Sequence, residues 1–537
     1  MATDPTVKGT MTSPLLSRRN ILLGGFGIAA TTTVAACTTP APGKAGMPSR
    51  TFGAPAPLSP SPSQRLVEKT LVAKPVSLDL GGRTVSTWAY DGTLPGPLVR
   101  ATAGDFLRVS LDNQLPADTT IHWHGIRLRN AADGVPGLTQ DPISSGTKYV
   151  YEFTAPDPGT YFFHPHVGVQ LDRGLYAPMI IDDPNEAGDY DAEWIVVLDD
   201  WIDGTGTTPD DVLKKLIADG GPASSGGMGG MDHGSMGGMD HGSMGGMSMG
   251  TPPWGDAGDV TYPFFLINGK PPTDPDVLTA KPGQRIRLRV INAASDTIFT
   301  VTLGGHRLTI THSDGHAVEP TEVSAFYIGM GERYDAIVTL GDGVFPLVAR
   351  PFGKTSGGQA IAVVRTGSGS APAVDAAPAE LSGQVLIGSQ LRPAESAKLP
   401  DRAPDATVDL ALQGSMKPYQ WGMNGAKFGE NEPLTVKAGQ RLRINATNQT
   451  MMTHPLHLHG HTFALPSGLR KDTVLMAPMQ SFAIDLDADN AGDWMIHCHN
   501  IYHAEAGMMI ALEYATLTPA PAVGSSWPVA PSRHWPC

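Results

Sequence analysis

Hydrophobic and polar residues alternate in three segments of the chain that share one pattern. The segments run from Ala103 to Asn113, from Pro282 to Asn292 and from Ala438 to Asn448; in each, an Arg stands four residues after the glycine and an Asn nine residues after it. Alternation with a period of two is typical of a strand with one buried face. Each segment is therefore predicted to be an amphipathic strand that is entered through a glycine turn.

A turn-forming pair precedes each copy, as expected for successive strands of a β-sandwich. These pairs are Asp91-Gly92, Asn268-Gly269 and Asn424-Gly425. The glycines of successive copies are 179 and 156 residues apart, which indicates duplicated domains and not a solenoid. The sequence predicts an all-β protein with domains at residues 65–186, 187–370 and 371–537, preceded by a signal at 1–37 and a tether at 38–64.

Histidine pairs occupy two registers of this repeat in the outer copies and are missing from the middle copy. Twelve residues after each repeat Asn is a glycine, preceded by His122-Trp123-His124, Val301-Thr302-Leu303 or His457-Leu458-His459. Five residues after Gly159, Gly343 and Gly492 begin His164-Pro165-His166, Val348-Ala349-Arg350 and His497-Cys498-His499. One such pair could equally consist of core or turn histidines. Four pairs in register predict a small metal cluster, since eight imidazoles are too many for one ion, and leave the middle domain as a spacer.

The segment from Trp494 to Met509 combines ligands of a second kind. Successive side chains of a strand point to opposite faces, so Cys498 faces away from His497 and His499. Cys498, His503 and a weak axial Met508 have the composition of a blue-copper electron-transfer site, which needs one more histidine. His454, three residues before His457, is the best candidate.

Together, these four histidine motifs resemble those of the multicopper oxidases, of the three-domain bacterial laccase and cuprous-oxidase type, over about residues 65 to 518. The resemblance implies three cupredoxin-like Greek-key β-sandwiches with four copper ions. It implies that His454, Cys498, His503 and Met508 bind a type 1 copper, and that His122 and His457 bind a type 2 copper. It gives the type 3 pair the ligands His124, His164, His166, His459, His497 and His499. One departure is Pro165, which suggests an edge or irregular strand there.

The same resemblance implies a mechanism. A substrate would give single electrons to the type 1 copper, and the electrons would pass from Cys498 through His497 and His499 to the cluster, where O2 is reduced to water. Asp133 matches the family's proton-supplying carboxylate, although an Asp before Gly134 is also typical of a turn. Where many relatives have an acid directly after the second type 1 histidine, this chain has Ala504, which leaves the neighbouring Glu505 as a further candidate proton donor.

Composition restricts the partners and the redox setting. The net charge of -14 and the isoelectric point near 5.6 argue against nucleic acid, which needs a basic face. The three cysteines are Cys37, Cys498 and Cys537. Because Cys37 is assigned to export and Cys498 to metal, a disulfide framework is excluded. The chain is expected to be a monomer.

The N-terminal residues have the pattern of an export signal. Arg18 and Arg19 form a twin-arginine motif ahead of an apolar run that is too short to span a bilayer. The run is followed by Val34-Ala35-Ala36-Cys37, which resembles a bacterial lipobox. The protein is therefore predicted to use the Tat pathway and to be anchored by lipid on Cys37 at the periplasmic face of the cytoplasmic membrane. An ordinary signal peptide with a cysteine after its cleavage site is the alternative.

A repeat rich in methionine, histidine and glycine occupies residues 224–250. It holds seven of the 21 methionines, together with His233 and His241. Such a segment can be a plain flexible linker, but thioethers with imidazole select Cu(I). The leading hypothesis is an exported oxidase of Cu(I) for copper tolerance that also oxidises phenols. The alternatives are a phenol or Mn(II) oxidase in which the repeat only loads copper, and a copper-sequestering protein without turnover.

Overall fold

The structure, a computed structural model, describes residue 52 and residues 55–186, 188–221, 254–255 and 258–515. The twin-arginine motif with Cys37, the methionine-rich repeat and Cys537 lie outside the described residues. Within the described ranges, no helix is both long and apolar enough to cross a membrane.

The first sandwich consists of two sheets, β2-β1-β4-β6 and β3-β8-β7-β5. Its strands are β1 (Leu66–Asp79), β2 (Thr84–Tyr90), β3 (Val99–Thr102), β4 (Phe106–Asn113), β5 (His122–His124), β6 (Lys148–Thr154), β7 (Gly159–His164) and β8 (Ala177–Asp182). In the second sheet His122 is paired with His164. Two histidine motifs therefore lie side by side on one sheet.

The middle sandwich has the sheet orders β10-β9-β12-β17-β14-β15 and β11-β19-β18-β13-β16-β20. Its strands are β9 (Ala192–Trp201), β10 (Phe264–Ile267), β11 (Val277–Thr279), β12 (Arg285–Asn292), β13 (Phe299–Leu303), β14 (Leu308–Ser313), β15 (His316–Val323), β16 (Ala325–Ile328), β17 (Arg333–Thr339), β18 (Val344–Pro351), β19 (Ala360–Arg365) and β20 (Val385–Leu386). Helix α1 (Pro209–Asp219) follows β9 and is capped by the Thr208 hydroxyl, which accepts from the Asp211 amide.

The third sandwich has the sheet orders β22-β21-β24-β29-β26-β27 and β23-β31-β30-β25-β28. Its elements are β21 (Ala406–Met416), β22 (Tyr419–Met423), β23 (Leu434–Val436), β24 (Arg441–Asn448), β25 (His454–Leu458), β26 (Phe463–Ala464), β27 (Arg470–Lys471), β28 (Thr473–Met476), β29 (Ser481–Asp487), β30 (Asp493–Cys498), helix α2 (Ile501–Glu505) and β31 (Met509–Tyr514). His457 on β25 is paired with His497 on β30, and Leu456 with Cys498. Short 3-10 helices cover Asn130–Ala132, Gln170–Arg173, Ala379–Ser382, Gly388–Gln390 and Glu395–Ala397.

The three repeat strands are present as predicted. Strands β4, β12 and β24 are each eight residues long and end on the repeat asparagines, Asn113, Asn292 and Asn448. Each of these asparagines is completely buried. Its side-chain amide donates to backbone carbonyls further along the chain, and its oxygen accepts from the amide two residues ahead. The repeat therefore encodes a closed turn, and in the outer sandwiches this turn leads into a histidine strand.

The turn pairs also have the backbone that their residues favour. Asp91, Asn268 and Asn424 have φ of 53°, 51° and 52°, and the glycines that follow have positive φ as well. Two successive residues with positive φ define the tight turn for which Asn-Gly and Asp-Gly are selected. The six sheets of the described residues, two in each sandwich, confirm the all-β class.

Pro165 lies just beyond a strand. Strand β7 ends at His164 and lies between β8 and β5, so of the two alternatives that Pro165 suggested, an edge strand or an irregular one, the edge strand is wrong. Proline is tolerated because the ladder of hydrogen bonds has already ended.

Candidate metal centres

The eight histidines of the four motifs meet in one buried region between the first and third sandwiches. The ring of His122 stacks on that of His459, with 3.7 Å between the ring centroids, and the ring of His124 stacks on that of His457, with 3.9 Å between the centroids. The ring centroids of His166 and His497 are 5.0 Å apart. Apart from the partly buried His166, the exposed fraction of each of the eight is at most 2%. The histidine pairs of the first and third sandwiches therefore meet at a single site.

Six of these histidines divide into two triads, a division that the sequence did not provide. One triad is His124, His164 and His499, and the other is His166, His459 and His497; the ligand atoms of each lie within 4.8 Å of one another. Both triads combine residues of the first and third sandwiches. Each could hold one metal ion with three imidazoles.

The remaining pair, His122 and His457, has its two Nε2 atoms 3.5 Å apart. Nδ1 of His122 donates to the carbonyl oxygen of Asp133 at 2.9 Å, and Nδ1 of His457 donates to that of Asp472 at 2.9 Å. Because a carbonyl only accepts, these bonds fix the proton on Nδ1 and leave a lone pair on each of the two neighbouring Nε2 atoms. This is the arrangement of a two-imidazole metal site.

Unpartnered nitrogen atoms show that the region fits a metal. The buried atoms without a hydrogen-bond partner include Nδ1 of His124, Nε2 of His164, Nε2 of His166 and both ring nitrogens of His499. Leaving a buried polar atom unsatisfied costs about 1–3 kcal/mol, and metal coordination would satisfy these atoms. Imidazole-rich sites of this kind suit copper.

The protonation of the cluster is also suited to metal binding. Burial lowers the pKa of each of seven imidazoles, and neighbouring histidines lower most of them further; for His497 the pKa falls to about 4. Neutral imidazole is the form that binds metal ions. The seven are His124, His164, His166, His457, His459, His497 and His499.

The predicted type 1 residues form a separate buried group. Sγ of Cys498 lies 3.5 Å from Nδ1 of His454 and 3.6 Å from Nδ1 of His503. Met508 is completely buried, and backbone hydrogen bonds tie it to Cys498 (3.1 Å) and to His503 (2.9 Å). A thiolate with two imidazoles and a nearby thioether is the donor set of a blue-copper site.

Residues that sequence reasoning missed hold these two imidazoles in place. Nε2 of His454 lies 2.7 Å from the Thr450 hydroxyl, and Nε2 of His503 lies 2.9 Å from Oδ2 of Asp259. Burial alone would lower the pKa of His503, but Asp259 and Cys498 raise it to about 10. Trp421 packs on His503 at 4.0 Å. Thr450 lies only four residues before His454, but nothing in the repeat pattern marks it as a partner. Trp421 on β22 and Asp259 in the middle part of the chain are far from His503 in the sequence, so no spacing could reveal them.

Of the two predicted proton donors, Asp133 lies among the cluster residues. Its Oδ2 is 2.9 Å from Nδ1 of His459 and its Oδ1 is 3.2 Å from Nδ1 of His122. Glu505 is on helix α2, two residues after His503. Burial and the nearby Asp210 raise the pKa of Glu505 to about 7. The roles of both carboxyls in proton supply remain predictions.

Comparison with known proteins gives a consistent result. Family models described as multicopper oxidase match residues 72–186, 249–370 and 401–516. The chain is 46% identical over 505 residues to multicopper oxidase MmcO of Mycobacterium tuberculosis, covering 93% of this chain and 96% of that protein. It is 30% identical to a copper resistance protein A homolog of Pseudomonas syringae pv. tomato, covering 80% and 89%.

A solved structure shares the architecture. The multi-copper oxidase from Pseudomonas thermotolerans has a TM-score of 0.61 and 27% identity, covering 84% of this chain and all of that one.

Replacing Cys498 with Ser should remove an intense absorption at about 600 nm, because thiolate-to-copper charge transfer produces it. The measurement is the visible spectrum of the copper-loaded protein. His306→Gln is the matched control, since His306 is a buried histidine of the middle sandwich that bonds to Gly304 and Gly341. A copper-loaded parent without the band would contradict the assignment of Cys498.

Proposed function

The chain belongs to the multicopper oxidase family, and from that premise we propose that it couples one-electron oxidation of Cu(I) to the four-electron reduction of O2 to water. The product, Cu(II), is less permeant than Cu(I), so the reaction would support copper tolerance. Phenols are proposed as further reductants. The observation that carries this proposal is that one strand, β30, joins the Cys498 group to the histidine cluster.

The route between the two groups is short. His497 and His499 are the backbone neighbours of Cys498, and each belongs to a different triad. Nδ1 of His497 also donates to the carbonyl oxygen of Cys498 at 2.9 Å. Copper ions bound in these groups would supply the one-electron redox chemistry. The chain itself provides a continuous covalent path along which electrons can pass from Cys498 to either triad.

Cu(I) is favoured as the substrate by residues around His454. The loop before it exposes Met451, and Met479 is exposed next to that loop, where its amide donates to the Thr450 carbonyl at 3.2 Å; their exposed fractions are 69% and 63%. Thioethers are ligands that select Cu(I). A surface with two such side chains beside a type 1 ligand supports cuprous ion as the electron donor.

The residues on either side of the methionine-rich repeat attach to this same part of the third sandwich. The amide of Gly221 donates to the carbonyl of Met416 at 2.9 Å. The Thr453 hydroxyl donates to the Trp254 carbonyl at 2.8 Å, and Gly255 pairs with Met452. The repeat itself lies outside the described residues. Anchoring of both flanks near His454 and β22 supports a role in raising the local concentration of Cu(I) at the electron-entry site.

Two other functions remain to be distinguished. In a phenol or Mn(II) oxidase the repeat would only load copper, and Cu(I) would not be a preferred substrate. A copper-sequestering protein would bind copper without consuming O2. A protein that only stores copper gains nothing from a thiolate site linked to a cluster, which is why we favour the oxidase.

Asp133→Asn should slow turnover by on the order of 10²-fold, because Asp133 is proposed to supply protons at the cluster. The reduction of the type 1 site by substrate should keep its rate, and its reoxidation by O2 should become slow in stopped-flow absorption. Asp199→Asn is the matched control: Asp199 is equally buried but accepts from Tyr176. Glu505→Gln tests the second donor in the same assay. Normal reoxidation by copper-replete Asp133→Asn protein would remove Asp133 from the mechanism.

Deleting residues 226–249 should lower O2 consumption with limiting Cu(I) and leave O2 consumption with a phenol nearly unchanged. The reason is that only Cu(I) would be delivered by the repeat, whereas phenols need the four-copper core alone. Steady-state O2 uptake by both proteins gives the comparison. Equal loss of both activities would assign the repeat to copper loading, and no O2 uptake with either reductant would favour sequestration.

We propose the domain limits 65–186, 187–370 and 371–537 and a monomeric state.

We also propose export by the Tat pathway to the cell envelope and lipidation of Cys37 at the periplasmic face of the cytoplasmic membrane. Acyl chains contribute about 0.8 kcal/mol per buried methylene, so the lipidated protein should stay with membranes through a salt wash. Cys37→Ala should move the protein to the soluble fraction. An unchanged distribution would contradict the anchor.

A further inference from the structure

The middle sandwich, which carries none of the histidine motifs, nevertheless touches the cluster. Its loop before β17 contains Gly331, whose φ is +84°. A Cβ at Gly331 would lie 2.9 Å from Cε1 of His124 and 3.0 Å from the ring of His499. Main chain from the middle sandwich therefore forms part of the wall around one triad.

Two residues further on, Arg333 forms a bidentate ion pair with a residue of the third sandwich. Its Nη1 and Nη2 donate to Oδ1 and Oδ2 of Asp472 at 2.6 and 2.7 Å. Both side chains are completely buried. The guanidinium also donates to the carbonyls of Thr160 (3.1 Å) and Gly331 (3.0 Å). Arg333 thus joins all three sandwiches at one point.

Asp472 and Thr473 in turn contact two cluster histidines. The carbonyl of Asp472 accepts from Nδ1 of His457 at 2.9 Å. The Thr473 hydroxyl donates to Oδ1 of Asp472 at 2.8 Å. That hydroxyl oxygen must then accept from Nε2 of His124, 3.1 Å away. A chain of hydrogen bonds runs from the Arg333–Asp472 pair to both imidazoles.

This chain sets the tautomer of His124. With its proton on Nε2, His124 keeps a lone pair on Nδ1, and Nδ1 is the nitrogen that has no hydrogen-bond partner. Partners that fix the tautomer and orientation of a metal-binding imidazole commonly tune the affinity of the site. We propose that Arg333 is a positioning residue for the histidine cluster: through Asp472 and Thr473 it aims the free nitrogens of His124 and His457 at the metals.

The surroundings of the pair explain why arginine is needed. Asp314, Glu332 and Lys471 are buried beside it, with Lys471 Nζ 3.1 Å from both Asp314 and Glu332. Lysine at position 333 would keep the charge balance of this group but could not form two parallel bonds to one carboxylate. A Cβ at Gly125, directly after the first histidine motif, would overlap the guanidinium. The pair therefore lies directly behind the first histidine motif.

The test compares Arg333→Lys with Arg287→Lys in the copper-loaded protein. Arg287 is a buried arginine of the same sandwich that pairs with Asp335, and within the described part of the chain it forms no hydrogen bond or ion pair with a cluster histidine. Copper loss to a chelator is followed by metal analysis, by the type 2 electron paramagnetic resonance signal and by the band at about 600 nm. For Arg333→Lys we expect loss of cluster copper about 10–100-fold faster, with the type 1 band retained.

Arg287→Lys should lose copper at the parental rate. Parental copper retention in Arg333→Lys would overturn the proposal. Equal acceleration of type 1 and cluster copper loss, matched by Arg287→Lys, would do the same, because it would indicate general destabilisation.

A second pair of variants serves if Arg333→Lys does not fold. Thr473→Val keeps the shape of the side chain and the Arg333–Asp472 pair but removes the hydroxyl that lies between Asp472 and His124. Thr473→Ser, in contrast, retains a hydroxyl at this position. We expect selective loss of cluster copper in the Val variant and recovery in the Ser variant. Parental copper retention by Thr473→Val would overturn the proposal. These readouts involve neither Cu(I) oxidation nor phenol oxidation, so they are independent of the proposed substrate.

Discussion

The burial of eight imidazoles between two β-sandwiches is the constraint on which the rest of the structure depends. A buried imidazole nitrogen without a hydrogen-bond partner or a metal ion is costly. Several of these nitrogens have no hydrogen-bond partner in the described part of the chain, and metal binding would satisfy them. Burial lowers the pKa of seven of these rings, which keeps those seven neutral and ready to bind metal. Because neither sandwich alone provides a complete set of ligands, metal binding and domain packing support each other.

The middle sandwich contributes to both metal groups, which a simple spacer would not need to do. Asp259 forms a hydrogen bond with Nε2 of His503 at the type 1 group. Arg333 holds Asp472, whose carbonyl holds His457 at the cluster. Both contacts join the middle sandwich to the third one. Loss of the histidine motifs from the middle copy therefore did not remove it from the chemistry of the sites.

The fold and the grouping of the histidine pairs could be predicted because both follow from local periodicity. The repeat asparagines mark the ends of β4, β12 and β24, and the H-x-H pairs follow at a fixed spacing from them. Arg333, Asp472, Thr473 and Asp259 could not be predicted in the same way. Each acts on a histidine that belongs to another strand or another sandwich, up to 349 residues away for Thr473 and His124. Strand pairing within the third sandwich brings Asp472 and Thr473 to His457, and the packing of the sandwiches brings the other residues together. The division of six histidines into two triads depends on that packing as well.

The central claim is that the outer sandwiches jointly hold a metal cluster in addition to the Cys498 site. The most direct test is the copper content of the fully loaded protein without residues 226–249, whose methionines and histidines would otherwise add weakly bound copper. Three ions in the cluster and one at Cys498 give an expected value of about four copper ions per chain. A value near one, with the blue band present, would contradict the cluster and leave only the type 1 site.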